Sequence, residues 1–481
     1  MLLKRLYDEP LAQASYLVGC QATGEALIMD PLRDVSQYLE VARAEGLRIT
    51  HVTETHIHAD FVSGARELAR RTGAQLLLSG EGGKDWSYGF ADEDGATLLH
   101  DGDEFMVGNI RFRVMHTPGH TPEHLTFVVT DTAGADEPMG AFTGDFVFVG
   151  DVGRPDLLEK AAKVEGTMEE GARQLFQSLQ RFRELPDWIQ IWPGHGAGSA
   201  CGKGLGAVPT STLGYEKRFN WAFSHDSEDD FLAQVLEGQP DPPRYFAEMK
   251  RINRDGPSVL EGAEPSFLGE EDGDEDPTVA EHLKNLLDEG ALVVDTRPYQ
   301  AFAGGHIPGT LNIPLNRSFT TYAGWVLPYD RDLHLVVEDE ETGAEAVRNL
   351  RGIGLDRIQT LIPVSAVAAW ARMGGEVETI GRITTEELED RLQAGEIRLL
   401  DVRWQDEWKR GRIPGSTHIP MGYLEERLDE VPNGKPLVLA CASGARSAIA
   451  AALLQRHGIK EVANLEGGFA RWASERREVE K

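Results

Sequence analysis

Short apolar runs recur at close intervals through the first half of the chain. Ser15–Gly19, Ala26–Asp30, Ile49–Thr53 and Gln75–Leu78 are rich in aliphatic side chains and end in polar or glycine-bearing turns, which predicts strands. Val35–Glu45 and Gly64–Thr72 lie between them and mix apolar with charged positions, which predicts helices. Strands alternating with helices give an α/β unit over residues 1–250. Residues 251–277 break this pattern. They hold Pro257, Pro265 and an acidic run at 270–276, the composition of a solvated linker.

After the linker the pattern repeats itself. Leu292–Leu315 and Leu399–Met421 align so that Asp295 meets Asp401 and the Ile-Pro-Gly after His306 meets the Ile-Pro-Gly after Arg412. Each copy then offers a second apolar strand, Leu333–Val337 or Pro436–Ala440, followed by a helix. Two further α/β domains are therefore expected, at residues 278–378 and 379–481.

Composition narrows the possible partners. A formal net charge of −31 argues against nucleic acid, whose binding needs a basic face, and no apolar run is long enough to span a membrane. The N-terminus reads as lacking a signal peptide. The acidity itself is that of a highly soluble protein. Three widely spaced cysteines, Cys20, Cys201 and Cys441, imply no disulfide framework and fit a reducing, cytoplasmic setting. Cys20 sits in an apolar run and reads as structural.

Polar clusters interrupt the first unit at the ends of apolar stretches. In order they are Thr55-His56-Ile57-His58-Ala59-Asp60-Phe61, then His116 to His124, then Thr143-Gly144-Asp145, then Pro193-Gly194-His195. A lone histidine is usually structural, but several at successive strand ends can converge on one metal ion. This order resembles the metallo-β-lactamase superfamily over roughly residues 10–225. The resemblance implies an αβ/βα sandwich with a metal where the loops meet. Hydrolases of that superfamily carry a histidine after the aspartate, and it helps to hold a second zinc. Here that position is Phe61, which cannot ligate. What remains can supply His56, His120 and Asp145, a facial triad that leaves positions open for O2 and substrate. This looks like the persulfide dioxygenase branch, which implies one Fe(II) per chain on those three residues. His58, Asp60 and His195 then become supporting groups around the ligands. Cys201, six residues past His195, could relay sulfur, contact the persulfide or lie as an inert buried thiol. Tyr215, Lys217 and Arg218 are candidates to bind an anionic thiol, although a solvated face accounts for the two cations equally well.

Cys441 directly follows the strand Pro436–Ala440 and opens the loop Cys441-Ala-Ser443-Gly444-Ala-Arg446-Ser447 before a helix at Ala448–His457. Loop amides and the helix N-terminus favour a thiolate, and Arg446 can orient an oxyanion. The segment resembles the rhodanese family's active loop, with Ser443, Gly444 and Ser447 as candidate substrate contacts. In the first copy the corresponding stretch is Glu338 to Gly343, with Asp339 at the position of Cys441. That copy is expected to be inactive, a spacer and an oligomer or docking surface.

The whole chain thus resembles multidomain persulfide dioxygenase–sulfurtransferase fusions. That resemblance implies oxidation of a glutathione, coenzyme A or bacillithiol persulfide to sulfite, sulfur transfer through Cys441 giving thiosulfate, and a dimeric or tetrameric homo-oligomer. Two other readings remain: a zinc thioester hydrolase of the glyoxalase II type fused to a sulfurtransferase, and a non-catalytic sulfur carrier or sensor.

Overall fold

The computed structural model describes residues 1–156, 167–239, 242–243, 245–260, 264–268 and 277–481. The acidic run at 270–276 lies outside the described residues. The chain divides into two compact units, residues 1–261 with 351–354, and the remainder.

In the first unit, β1 (Leu2–Asp8), β2 (Gln13–Cys20), β3 (Glu25–Met29), β4 (Arg48–Thr53), β5 (Gln75–Ser79) and β6 (Thr97–Leu99) form one sheet in chain order. A second sheet holds β7 (Glu104–Val107), β8 (Ile110–His116), β9 (Leu125–Asp131), β10 (Gly140–Gly144), β11 (Gln190–Pro193) and β12 (Ser211–Thr212), again in chain order. Between the sheets Leu27, Met29 and Leu77 meet Val114, Phe127, Phe142 and Trp192 in one apolar cluster. Helices Ser36–Ala44 and Ala65–Thr72 belong to a second core containing residues of β3, β4 and β5. Helix Thr167–Arg183 belongs to a third, with residues of β9, β10 and β11. Each sheet is therefore covered on both faces, which explains why β2 is buried along its whole length and shows no alternation. This is the αβ/βα sandwich. Its polar clusters sit at the ends of β4, β8, β10 and β11.

The second unit contains two sheets of one design. The first holds β13 (Ser266–Phe267), β14 (Leu292–Asp295), β15 (Leu311–Asn312), β16 (Leu333–Val337) and β17 (Ile358–Pro363), ordered β13-β17-β16-β14-β15. The second holds β18 (Gly381–Ile383), β19 (Arg398–Asp401), β20 (Thr417–His418), β21 (Leu437–Ala440) and β22 (Val462–Leu465), ordered β18-β22-β21-β19-β20. All pairings in both are parallel, so the internal repeat is structural as well as sequential.

The expected linker does real structural duty at both described ends. Residues 251–255 finish the helix Phe246–Asp255, and β13 lies at 266–267, pairing with β17. Composition alone missed this because a helix end and a two-residue edge strand carry little apolar signal.

Candidate functional site

The loop after β4 carries His56, His58 and Asp60 and is held from behind by hydrogen bonds. Asp30, at a left-handed φ of 50°, accepts from the Thr55 amide at 2.6 Å and from the Thr55 hydroxyl at 3.0 Å. The His58 ring meets the same carboxylate, Nε2 to Oδ1, at 3.1 Å. Asn253 secures the other side: its amide donates to the carbonyls of His58 (2.8 Å) and Phe61 (2.7 Å), and its oxygen accepts from the Ser63 amide (2.9 Å). Phe61 is fully buried and packs its ring against His58, with centroids 4.3 Å apart.

His56, His120 and Asp145 converge so that one donor atom from each lies within 4.8 Å of the others. Asp145 Oδ2 is 3.5 Å from His120 Nε2 and 3.9 Å from His56 Nε2. The remaining atoms of these side chains are already engaged. His120 Nδ1 donates to the Arg154 carbonyl at 3.0 Å, His56 Nδ1 meets the Thr55 hydroxyl at 2.9 Å, and Asp145 Oδ1 meets His195 Nδ1 at 2.7 Å. His56 Nε2 and Asp145 Oδ2 are buried without a hydrogen-bond partner, a costly arrangement unless a ligand fills the gap. The donor set therefore fits a metal ion. Gly144 permits this approach. At φ 47°, a Cβ there would lie 2.5 Å from Thr55 Oγ1 and 2.8 Å from His124 Nε2.

Electrostatics favour ligation. Burial, then the neighbouring His58, pushes His56 well below the ordinary imidazole range. Burial also lowers His120 against the opposing pull of Asp145. Both rings are thus neutral and able to ligate. For Asp145 burial acts upward, but the charge and hydrogen bond of His195, then His56 and His120, hold it well below the carboxylate range.

His195 bridges two carboxylates, Nδ1 to Asp145 and Nε2 to Asp60 Oδ2, both at 2.7 Å. Asp60, His195 and Cys201 form a second convergent group. The Cys201 thiol is pushed well up by burial and by Asp60 and Asp145, so it stays protonated there. The remaining candidate contacts, Tyr215, Lys217 and Arg218, lie on the helix Leu213–Phe219. The Lys217 amine is tied to Asp187 (2.7 Å) and the Leu185 carbonyl (3.0 Å), near the start of β11 and away from its His195 end. Tyr215 packs on Phe219, and both Tyr215 and Arg218 are exposed. Cys20 is buried at the end of β2, where Sγ accepts from the Asn109 amide.

In the second unit, Cys441 is buried at the end of β21. Its sulfur accepts from the Gly444 amide at 3.1 Å and lies 3.3 Å from the Ser447 hydroxyl. Gly444 has φ 108°, a conformation that bends the loop back over the sulfur and that L residues rarely adopt. Ser447 donates to Asn464 Oδ1 (2.7 Å), and Asn464 donates to the Gly444 carbonyl (2.9 Å), closing the cradle. Ser443 is exposed beside it. Arg446 is held by Glu407, and its guanidinium lies 5.4 Å from the Trp404 ring.

Sheet register corrects the alignment of the empty copy. Asp295 pairs with Val336 and Asp401 pairs with Ala440, so the residue at the position of Cys441 is Val337, not Asp339. The following connection is shorter, with its helix starting at Glu340 against Ala445 in the second copy. Asp339 accepts instead from the Thr342 amide at 2.8 Å, capping that helix.

The empty copy is also more than a spacer. Its helix Phe319–Val326 brings Trp325 against Trp404, with centroids 4.4 Å apart, and against Tyr423 at 5.9 Å. Burial raises the hydroxyl of Tyr322, on the same helix, against the opposing charge of Arg446. Asp30, Asn253, Glu407, Asn464 and Trp325 were not singled out from sequence, and His124 entered only as the last member of its polar cluster.

Comparison with known proteins agrees with this architecture. The metallo-beta-lactamase superfamily model matches residues 8–195, and the rhodanese-like domain model matches residues 279–361 and 384–475. A solved metallo-beta-lactamase from Staphylococcus aureus subsp. aureus COL is 48% identical, covers 75% of this chain and 98% of its own, and superposes with a TM-score of 0.67. The mitochondrial persulfide dioxygenase ETHE1 of Bos taurus is 28% identical over 40% of this chain and 68% of its own length. A hydroxyacylglutathione hydrolase of Methylococcus capsulatus is 31% identical over 37% and 60% respectively. The chain spans about half the length of several other curated relatives, 53% or 54%. Among the described residues no helix is long and apolar enough to cross a membrane. The chain belongs to the metallo-β-lactamase superfamily, in a fusion that places two rhodanese-like domains after the metal-binding fold.

Proposed function

We propose that this protein is a mononuclear iron persulfide dioxygenase coupled to a sulfurtransferase. The observation that carries the reading is the pairing of a convergent triad, His56, His120 and Asp145, with Phe61 where a second metal would need a histidine. The persulfide dioxygenase relative supports it. His56, His120 and Asp145 would hold Fe(II), which would supply the redox chemistry for oxidation of a persulfide by O2. The protein keeps His56 and His120 neutral, fixes their rings through Thr55 and Arg154, and orients Asp145 through His195. Overall, a thiol hydropersulfide, O2 and water give the thiol, sulfite and two protons.

At the second site, the Cys441 thiolate takes the outer sulfur of another hydropersulfide and releases the thiol. The resulting persulfide hands that sulfur to sulfite, giving thiosulfate and the free thiolate. The Gly444 N–H, which donates to the Cys441 sulfur, would stabilise either anion. The copy containing Val337 has no sulfur nucleophile at that position and takes no part in transfer. Glutathione, coenzyme A and bacillithiol persulfides are the candidate carriers, and a cytoplasmic homo-oligomer is the expected form.

The test is anaerobic metal analysis with O2 uptake on addition of each persulfide. About one iron per chain with persulfide-dependent O2 loss is expected from a single triad. Cys441→Ser should keep O2 uptake and shift the product from thiosulfate to sulfite; thiosulfate at the normal rate would sink the coupling. A second reading, a zinc thioester hydrolase, draws on the Asp60, His195 and Cys201 group and on the hydroxyacylglutathione hydrolase relative. Two zinc ions per chain without O2 loss would establish it.

A further inference from the structure

The loop around Cys441 is flanked by two arginines, and both are already paired. Arg403 grips Asp401, with Nη2 to Oδ2 at 2.7 Å and Nε 3.0 Å from both oxygens. Arg446 grips Glu407, with Nη1 to Oε2 at 2.5 Å and Nη2 to Oε1 at 2.8 Å. The two pairs differ in access. Side-chain exposure is 3% and 1% for Arg403 and Asp401, a sealed structural pair, but 11% and 23% for Arg446 and Glu407. Water reaches only the second pair, so only that one can open at modest cost.

The geometry of that pair is informative. Two parallel N–H donors on two carboxylate oxygens form the arrangement that two oxygens of sulfite, or of the sulfonate end of thiosulfate, would also make. Glu407 is also moored without Arg446, because Oε2 accepts from the Trp404 amide at 3.1 Å at the start of its own helix. When the pair opens, the carboxylate keeps a partner and the guanidinium is free to turn. Burial opposes ionisation of Glu407, but the hydrogen bond and charge of Arg446 outweigh it and hold the carboxyl below its ordinary range, so the competitor is fully charged at neutral pH.

We propose that Glu407 is a built-in competitor for the oxyanion seat of the Cys441 site: its carboxylate occupies the Arg446 fork when the site is empty and yields it to sulfite or thiosulfate. The inference rests on the sulfurtransferase reading and names the residue that sets its anion affinity. In the transfer step a lone pair on the sulfur of sulfite forms the new S–S bond. The bond between Cys441 Sγ and its outer sulfur breaks, and its electron pair returns to Sγ as thiolate. Both the acceptor and the product carry two negative charges and use the same fork. Glu407 therefore weakens the binding of sulfite and of thiosulfate alike. Loading of Cys441 by a hydropersulfide places no oxyanion on the fork and is independent of Glu407.

The experiment compares the full-length wild type with Glu407→Gln, using Asp406→Asn as a control that removes an exposed neighbouring charge. Anaerobic calorimetry measures sulfite binding, and steady-state assays measure KM for sulfite and the rate of persulfide loading. In Glu407→Gln, sulfite should bind on the order of tenfold tighter, as expected when a competing charged hydrogen-bond acceptor is neutralised. KM for sulfite should fall alike, loading should be unchanged, and Asp406→Asn should resemble the wild type. Unchanged or weaker sulfite binding in Glu407→Gln would overturn the proposal, because Glu407 would then be a scaffold that positions Arg446. An equal tightening in Asp406→Asn would also overturn it, as general electrostatics. If Glu407→Gln does not fold, Glu407→Asp, too short to fill both fork positions, should tighten binding by a smaller factor, and no tightening there counts against the proposal. Tighter sulfite binding without any Cys441-dependent thiosulfate would remove the sulfurtransferase reading and leave the anion seat in place. Thiosulfate formation without tighter binding would do the reverse.

Discussion

Replacing Asn253 by alanine tests whether the metal loop is held from outside the metal motifs. Asn253 is 1% exposed and makes three hydrogen bonds to the backbone between His58 and Ser63. Alanine leaves two carbonyls and one amide without those partners. Each orphaned buried group costs about 1–3 kcal/mol, and the polar gap can admit a water that recovers part of this, so a loss of about 3 kcal/mol is expected. For a unit of this size that corresponds to a fall in Tm of roughly 6–12 °C. The same loop carries His58 and Asp60 and adjoins His56, so metal affinity should fall roughly 10- to 100-fold. Calorimetric unfolding of the metal-free protein would give the first number, and a competitive chelator titration the second. Asn253→Asp is the matched control: it keeps an acceptor for the Ser63 amide but loses both donors, and should be no more stable than the alanine variant. An alanine variant within 1 kcal/mol of wild type with unchanged metal affinity would refute the argument, because that stays below the cost of even one orphaned buried group.

Two further outcomes follow from single residues. Phe61→His should raise metal content from about one toward two ions per chain, since it restores a ligand beside Asp60 and His195 and needs only that the ring leave His58; plasma emission analysis after zinc loading decides this, and a ratio that stays near one would show that more than Phe61 blocks the second site. Glu123 is buried, and burial, opposed by the Ile57 amide, pushes its carboxyl from 4.5 to about 7. The folded-state value is raised, so its contribution to stability is fully present below pH 4.5 and is lost as pH rises through about 7, on the order of 3 kcal/mol in all. Glu123→Gln keeps an acceptor for Ile57 without the charge, so its stability relative to wild type should climb between about pH 4.5 and 7; parallel curves in urea titrations across that range would contradict the assignment.

Sequence by itself determined much of this protein. Apolar runs placed β2 to β5 to within two residues, because a strand covered on both faces must be continuously apolar. The repeat of Asp-x-Arg and Ile-Pro-Gly motifs announced two like domains, because the same local physics was written twice. The convergent group His56, His120 and Asp145 was legible because each stands where an apolar strand ends and a loop begins. Tertiary structure alone decided the rest. Only sheet register puts Val337 at the position of Cys441, since alignment by motif cannot see that one connection is shorter. Asn253 was read as linker, although it lies 192 and 195 residues along the chain from the carbonyls it holds. Lys217 had the charge suited to an anionic substrate, and the fold gave that charge to Asp187. Glu407 looked like one more acid on an acidic chain until folding set it against Arg446, 39 residues away. A residue's type and spacing fix its own backbone tendency and the chemistry it can offer. Which partner receives that chemistry depends on distant segments meeting, and pairwise contact at that range leaves no periodic trace in the sequence.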